Sequence, residues 1–168
     1  MALCPPDECW KNIIYRICGI GTTDEILPEH NREEDKGMNE KEYLPELVKK
    51  AIDAKELAYA PYSNFKVGAC VLASDGTMVT GANIENASFG LTICAERVAL
   101  FRSYAEGKRD IAALAVSADT PEPVSPCGAC RQVISELAAD AKVCLSNHDG
   151  SKVKVMTSEE LLPYGFKL

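Results

Sequence analysis

Apolar positions along the chain repeat with two different periods. Leu44, Leu47, Val48, Ala51, Ile52, Ala54 and Ala58 recur at helical spacing, which predicts an amphipathic helix ending before Pro61. Pro45 fits the first turn of that helix, where a missing N–H is harmless. Residues 65–73 form a continuous apolar, partly β-branched run, and 78–84 resume it after Asp75-Gly76. Two such runs about an Asp-Gly turn predict a hairpin. Thr92 is placed to cap a helix running to Ala105, with Gly107 as its stop. Residues 111–117 read as a buried strand, and Pro126 opens a helix through Val133, Ile134 and Leu137. Residues 143–146 and 152–156 flank a second Asp-Gly turn, Asp149-Gly150. Thr157-Ser158-Glu159-Glu160 has the capping-box pattern of a short last helix. The order helix, strand, strand, helix, strand, helix, strand, strand, helix predicts an α/β fold, a three-layer α/β/α sandwich around a five-stranded mixed sheet.

Residues 1–40 have a different character. Trp10, Ile13, Ile14, Ile17 and Ile20 form an apolar patch with partly helical spacing, and a charge-rich stretch covers 28–41. The patch predicts a short helix docked on the body in preference to a partner-binding segment, and the charged stretch predicts a linker or disorder. The chain is thus expected to divide into an N-terminal extension, 1–40, and a folded domain, 41–168.

Composition narrows the classes of function. The 168 residues suit one domain with an appendage, and are enough to bury a real core without disulfides. Acidic residues number 25 and basic ones 18, a net charge of −7, which argues against a nucleic-acid partner. No apolar run reaches the roughly 18 residues of a membrane span. The chain has eight cysteines, and residues 1–10 lack a basic segment followed by an apolar one. A reducing, cytoplasmic compartment is therefore expected, with the thiols free or bound to metal.

Two short segments carry candidate chemistry. Thr92-Ile93-Cys94-Ala95-Glu96-Arg97 and Ser125-Pro126-Cys127-Gly128-Ala129-Cys130-Arg131 both put cysteine at a predicted helix start. The two-residue gap lets Cys127 and Cys130 face one metal, with Cys94 as a third ligand. Three ligands leave one tetrahedral position open for water, as a catalytic zinc requires, and neither His30 nor His148 sits in a motif that would close it. Three thiolates on Zn²⁺ make a formally negative site, and so a less acidic bound water. Two helix N-termini, together with Arg97 and Arg131, could withdraw that charge by facing or bonding the thiolates. Glu96, at the same helix start as Cys94, is the natural proton shuttle for the water. A lone Cys-x-x-Cys would suit a structural zinc or a redox pair. Both segments at helix starts, separated by a helix and a strand, favour a catalytic zinc.

At these residues the chain closely resembles the cytidine deaminases of the nucleoside-salvage type. The zinc-deaminase signature is His or Cys, one residue, Glu, then Pro-Cys-x-x-Cys. Here it reads Cys94-Ala95-Glu96 and Pro126-Cys127-Gly128-Ala129-Cys130. The three-cysteine form is similar to the homotetrameric free-nucleoside branch. The resemblance runs from about Leu44 to Phe166. It includes Ala60-Pro61-Tyr62-Ser63-Asn64-Phe65, Val67-Gly68-Ala69, Asn83-Ile84-Glu85-Asn86-Ala87 and Leu161-Leu162-Pro163. It implies a catalytic domain at 41–168, a homotetramer and one zinc per subunit. It implies that Phe65 lies on or beside the pyrimidine, that Asn83 and Glu85 bind the ribose 3′-hydroxyl, and that backbone near Ala95 and Ser125 reads the base edge. It further implies that Phe166 reaches into a neighbouring subunit's site. Phe89-Gly90 stands where the family commonly has tyrosine, so a phenolic hydrogen bond is missing there.

The expected reaction is hydrolytic deamination of cytidine and 2′-deoxycytidine in pyrimidine salvage, with Glu96 as the proton carrier. Three rivals stand beside it: a deaminase of another cytosine nucleoside such as an antibiotic, a polynucleotide-editing enzyme, and a non-catalytic zinc-stabilised module. Asn83 and Glu85 favour a ribose, the acidic charge and Cys94 in place of His disfavour editing, and Glu96 would be unneeded in an inert module.

Overall fold

The computed structural model of the protein describes residues 40–166. The expectations for the extension, including the patch at Trp10–Ile20 and most of the charged stretch, lie outside the described residues. Helix α1 is Glu40–Ala54, continued by a 3-10 turn, Lys55–Leu57. Strands β1 (Val67–Ala73) and β2 (Met78–Ala82) form the hairpin, followed by a 3-10 turn at Phe89–Leu91. Helix α2 is Ala95–Ala105, strand β3 Ile111–Ala118 and helix α3 Gly128–Leu137. Strands β4 (Lys142–Ser146) and β5 (Val153–Thr157) and the short helix α4 (Ser158–Leu161) complete it.

The sheet order is β2-β1-β3-β4-β5, with β3 and β4 parallel and every other pair antiparallel. The mixed five-stranded sheet is as expected. Its central strands read as unbroken apolar runs because both faces are covered. Val71, Leu114, Val116, Val143 and Leu145 pack with Ala99, Leu100 and Ile134 of α2 and α3. Cys70, Leu72, Ala113, Ala115 and Cys144 pack with Leu47, Val48 and Ala51 of α1. A bulge between Leu72 and Ala73 inserts Ala112, so Ile111 and Ala113 face opposite layers.

Two glycines set how closely the helices lie on the sheet. A Cβ at Gly68 would fall 2.1 Å from the Ala51 carbonyl oxygen of α1. One at Gly81 would fall 2.5 Å from the Ala99 nitrogen and 2.7 Å from the Ala95 oxygen of α2. The second approach presses the first turn of α2 onto β2, and that turn carries one of the cysteine segments.

Three local expectations are corrected. Helix α1 starts at Glu40, so Pro45 lies inside it and not in the first turn. Thr92 does not cap α2. Cys94 is the N-cap, because Ile93 is still extended, bridged to Ile84. The Thr92 hydroxyl instead accepts the Asn86 N–H at 3.1 Å. Pro126 precedes the N-cap Cys127 and does not open α3 itself. The Asp-Gly turns and the last capping box form as read. Gly76 and Gly150 take φ of 86° and 81°, and the Thr157 side chain accepts the Glu160 N–H while Glu160 reaches back to the Thr157 N–H.

Candidate active site

The two cysteine segments meet where α2 and α3 begin. Cys94 and Cys127 are the N-caps of these helices, and Cys130 lies in the first turn of α3, fully buried. Cys94 Sγ is 3.9 Å from Cys127 Sγ, which is 3.5 Å from Cys130 Sγ, and all three lie within 4.8 Å of one another. A tetrahedral zinc with Zn–S near 2.3 Å sets its sulfurs about 3.8 Å apart, so this trio fits one ion. Cys127 is exposed and Cys94 half-buried, which leaves the outer side of the trio open. The N-terminal ends of α2 and α3 face the sulfurs with their unpaired N–H groups.

The surroundings favour thiolate at Cys94. Cys94 is held well below the ordinary thiol range, first by hydrogen bonding from Cys130 and then by the Arg97 guanidinium. Cys130 is pushed up by sharing that hydrogen bond and by burial. Arg97 Nη2 lies 3.4 Å from Cys94 Sγ and also donates to the Thr92 carbonyl at 3.3 Å, while its Nε is buried without a partner. Arg131 departs from expectation. Its nitrogens donate to the Pro126 carbonyl at 2.8 Å, the Ser125 hydroxyl at 3.1 Å and the Leu161 carbonyl at 3.4 Å. One step past Cys130 on the helix turns it about 100° from the sulfur, so it clamps the segment that carries Cys127.

Glu96, the second residue of α2, is 4% exposed. Burial pushes its carboxyl above the ordinary glutamate range, and the charge of nearby Cys94 adds to the effect. A carboxyl so placed beside a candidate metal site is positioned to exchange a proton with a molecule bound there. Ala95, directly before it, is fully buried.

A cavity of about 320 Å³ is lined by Tyr62, Ser63, Glu85, Phe89 and Thr92. Thr92 connects it to the sulfur cluster through Arg97. Beyond β2 the chain stays extended, so Asn83 and Glu85 face inward while Ile84 points out. Glu85 Oε2 accepts the Tyr62 N–H at 2.9 Å and the Ser63 N–H at 3.2 Å, and Oε1 accepts the Ser63 hydroxyl. These bonds, the Ser63 hydroxyl first, hold Glu85 below the ordinary carboxylate range. Asn83, 8% exposed, accepts the Val67 N–H at 2.8 Å and donates to the Phe65 carbonyl at 2.9 Å. Phe65 and Ser125 are exposed, and neither lines the cavity. Phe166, 66% exposed, accepts a bond from Gln132 at its carbonyl. Tyr62, Ser63 and Thr92 line this cavity, although the reading of individual side chains did not single them out for it. Their only signal was membership of the two quoted segments, since backbone donors leave no mark in sequence.

The comparisons agree with this geometry. The family described as the cytidine and deoxycytidylate deaminase zinc-binding region matches residues 41–146. The chain is 60% identical over 121 residues to a cytidine deaminase of Halalkalibacterium halodurans, covering 71% of this chain and 91% of that one. It is 49% identical over 124 residues to a cytidine deaminase of Sporosarcina psychrophila, covering 73% and 90%. Among solved structures, the cytidine deaminase from Burkholderia pseudomallei superposes with a TM-score of 0.70 at 49% identity, covering 73% of this chain and 98% of that one. With three sulfurs spaced for one zinc and a buried carboxyl beside them, the chain belongs to the zinc-binding cytidine and deoxycytidylate deaminase family.

Proposed function

We propose that this protein hydrolyses cytidine and 2′-deoxycytidine to uridine and 2′-deoxyuridine, releasing ammonia, in pyrimidine salvage. The observation that carries this is the trio Cys94, Cys127 and Cys130 with buried Glu96 two residues after the first of them. We assign the activity to residues 41–168. Cys94, Cys127 and Cys130 would hold the zinc, which when bound supplies an acidified water as the nucleophile. Glu96 receives a proton from the attacking water and delivers it to ring nitrogen N3 as the C4–O bond forms. It then carries a proton from the new hydroxyl to the exocyclic amino group. That group departs as ammonia with the C4–N4 electron pair, and the C4 carbonyl forms. Each proton borrowed is returned, so one carboxyl suffices.

Phe65 is assigned to the pyrimidine, backbone at Ala95 and Ser125 to the base edge, and Asn83 and Glu85 to the ribose 3′-hydroxyl. Asn83 retains one N–H and one lone pair beyond its two backbone bonds. Arg97 is assigned to drawing charge from Cys94. Among the described residues lining the cavity Glu85 alone is charged, and with the net charge of −7 it favours a neutral nucleoside over a phosphorylated substrate or a polynucleotide.

A homotetramer is the assembly we propose. Leu57, Tyr59, Phe89, Leu91 and Phe166 are each more than half exposed, a lone-chain surface that association would cover. In that assembly Phe166 completes a neighbour's site. A stable, active monomer on sizing would remove both statements. A cytoplasmic setting is supported by the candidate metal site built from Cys94, Cys127 and Cys130, since thiolate ligands suit a reducing compartment. Among the described residues no helix is long and apolar enough to cross a membrane.

Ultraviolet-monitored turnover of cytidine, with zinc measured on the same sample, tests the reading. We expect turnover with about one zinc per chain, as the three-ligand site implies. Glu96→Gln is expected to keep the zinc and lose about 10²–10⁴-fold in kcat, the usual share of acid–base catalysis. Near-normal activity in that variant would overturn the assignment.

A further inference from the structure

Glu85 is held by a loop, and one side chain of that loop makes two bonds that decide its geometry. The segment from Ala60 to Phe65 closes on itself through the Asn64 N–H to the Ala60 carbonyl, 3.1 Å, and reverses at Asn64 with φ of 54°. Asparagine is among the few side chains that tolerate this left-handed conformation. The reversal points the Tyr62 and Ser63 N–H groups at Glu85 Oε2. The Ser63 hydroxyl accepts the Phe65 N–H at 3.0 Å and donates to Glu85 Oε1.

A serine hydroxyl has one hydrogen to give and otherwise rotates to suit its surroundings. With a lone pair engaged by Phe65, its hydrogen is directed at Glu85. Both carboxylate oxygens are then tied, and three of roughly four acceptor positions are taken. The position that remains can take one further donor from the cavity, where Ser63 and Glu85 both form the wall.

We propose that Ser63 is a positioning residue for sugar recognition: its hydroxyl, held by the Phe65 N–H, fixes the Glu85 carboxylate so that it accepts one ribose hydroxyl. This rests on the assignment of Glu85 to the 3′-hydroxyl. Because a single acceptor position is left, the 2′-hydroxyl is not read by Glu85, and cytidine and 2′-deoxycytidine depend on Ser63 alike. Ser63→Thr keeps the hydroxyl, whereas Ser63→Ala removes it and leaves the two backbone donors.

The experiment is steady-state kinetics of zinc-loaded wild type, Ser63→Ala, Ser63→Thr and Glu85→Ala on cytidine, 2′-deoxycytidine and 3′-deoxycytidine. Melting temperature and zinc content are measured for each. Ser63→Ala is expected to raise KM about tenfold for both substrates that carry a 3′-hydroxyl, the scale of one charge-assisted hydrogen bond. It is expected to change KM for 3′-deoxycytidine less than about threefold, and Ser63→Thr to recover most of the loss. An equal penalty on all three substrates, or none, overturns the role of Ser63 if Glu85→Ala still discriminates against the 3′-hydroxyl. If Glu85→Ala penalises 3′-deoxycytidine as much as cytidine, the assignment of Glu85 falls, and the proposal falls with it.

Discussion

Gly81→Ala adds one methyl group to the central link between the sheet and the site. The added Cβ would stand 2.5 Å from the Ala99 nitrogen and 2.7 Å from the Ala95 oxygen, where ordinary van der Waals contact begins at 3.4 Å. Both obstacles are main chain, so no side-chain rotation relieves them. Helix α2 must retreat from β2 by about 0.9 Å, or the hairpin must bend away from it. Overpacking of this kind destabilises by about 1–3 kcal/mol. That is a fall of several degrees, roughly 2–8 °C per kcal/mol for domains of this size. The first turn of α2 carries Cys94 and Glu96 with it, while Cys127 and Cys130 stay on α3. A displacement near 1 Å between a proton carrier and its reacting atoms can lower kcat/KM by about 10²-fold.

Gly68→Ala is the matched comparison. Its Cβ would meet the Ala51 oxygen at 2.1 Å, which strains α1 on the opposite layer. Thermal denaturation, zinc content and kcat/KM for cytidine, read well below both melting temperatures, separate the two effects. Both variants are expected to melt earlier, with Gly81→Ala losing far more kcat/KM per degree lost. Equal losses per degree, or a Gly81→Ala enzyme of normal melting temperature and activity, would refute the argument that this contact positions the site.

Two further outcomes follow from particular groups. Cys127→Ala is expected to abolish stoichiometric zinc and turnover together, as chelation of the wild type should, because two sulfurs cannot replace a three-ligand site; zinc analysis after dialysis reads this directly. Asp75, in the hairpin turn, is held down to about 2 by the Lys108 ammonium and then by the Thr77 N–H. A lowered carboxylate stabilises the fold above its ordinary value near 3.8, and that contribution is lost as pH falls through about 2. Wild type should therefore melt above Asp75→Asn at pH 5, with the gap closing toward pH 2. A constant gap would show that the ionised carboxylate contributes nothing.

Strand positions, both Asp-Gly turns and the closing capping box were readable along the chain because each rests on local chemistry. Continuous apolar runs mark strands covered on both faces, glycine supplies the left-handed turn positions, and Thr157 and Glu160 satisfy each other within one turn. The zinc trio was readable too, since Cys-x-x-Cys on one helix start and Cys-x-Glu on another restrict the chemistry before any fold is known. Distant partners were not. Arg97 and Arg131 look equivalent in sequence, each beside a key residue, yet one reaches a sulfur and the other clamps backbone of Pro126 and Leu161. Thr92 has the right chemistry for a helix cap, but pairing of Ile93 with Ile84 keeps the chain extended past it. Asn83 and Glu85 are bonded to backbone groups of residues 62–67, about 20 residues earlier in the chain. Residue type and local spacing determine which elements form and which atoms can bind metal. Which donor meets which acceptor depends on how α2, α3 and the loop after Ala60 pack against one sheet, and only the tertiary structure decides that.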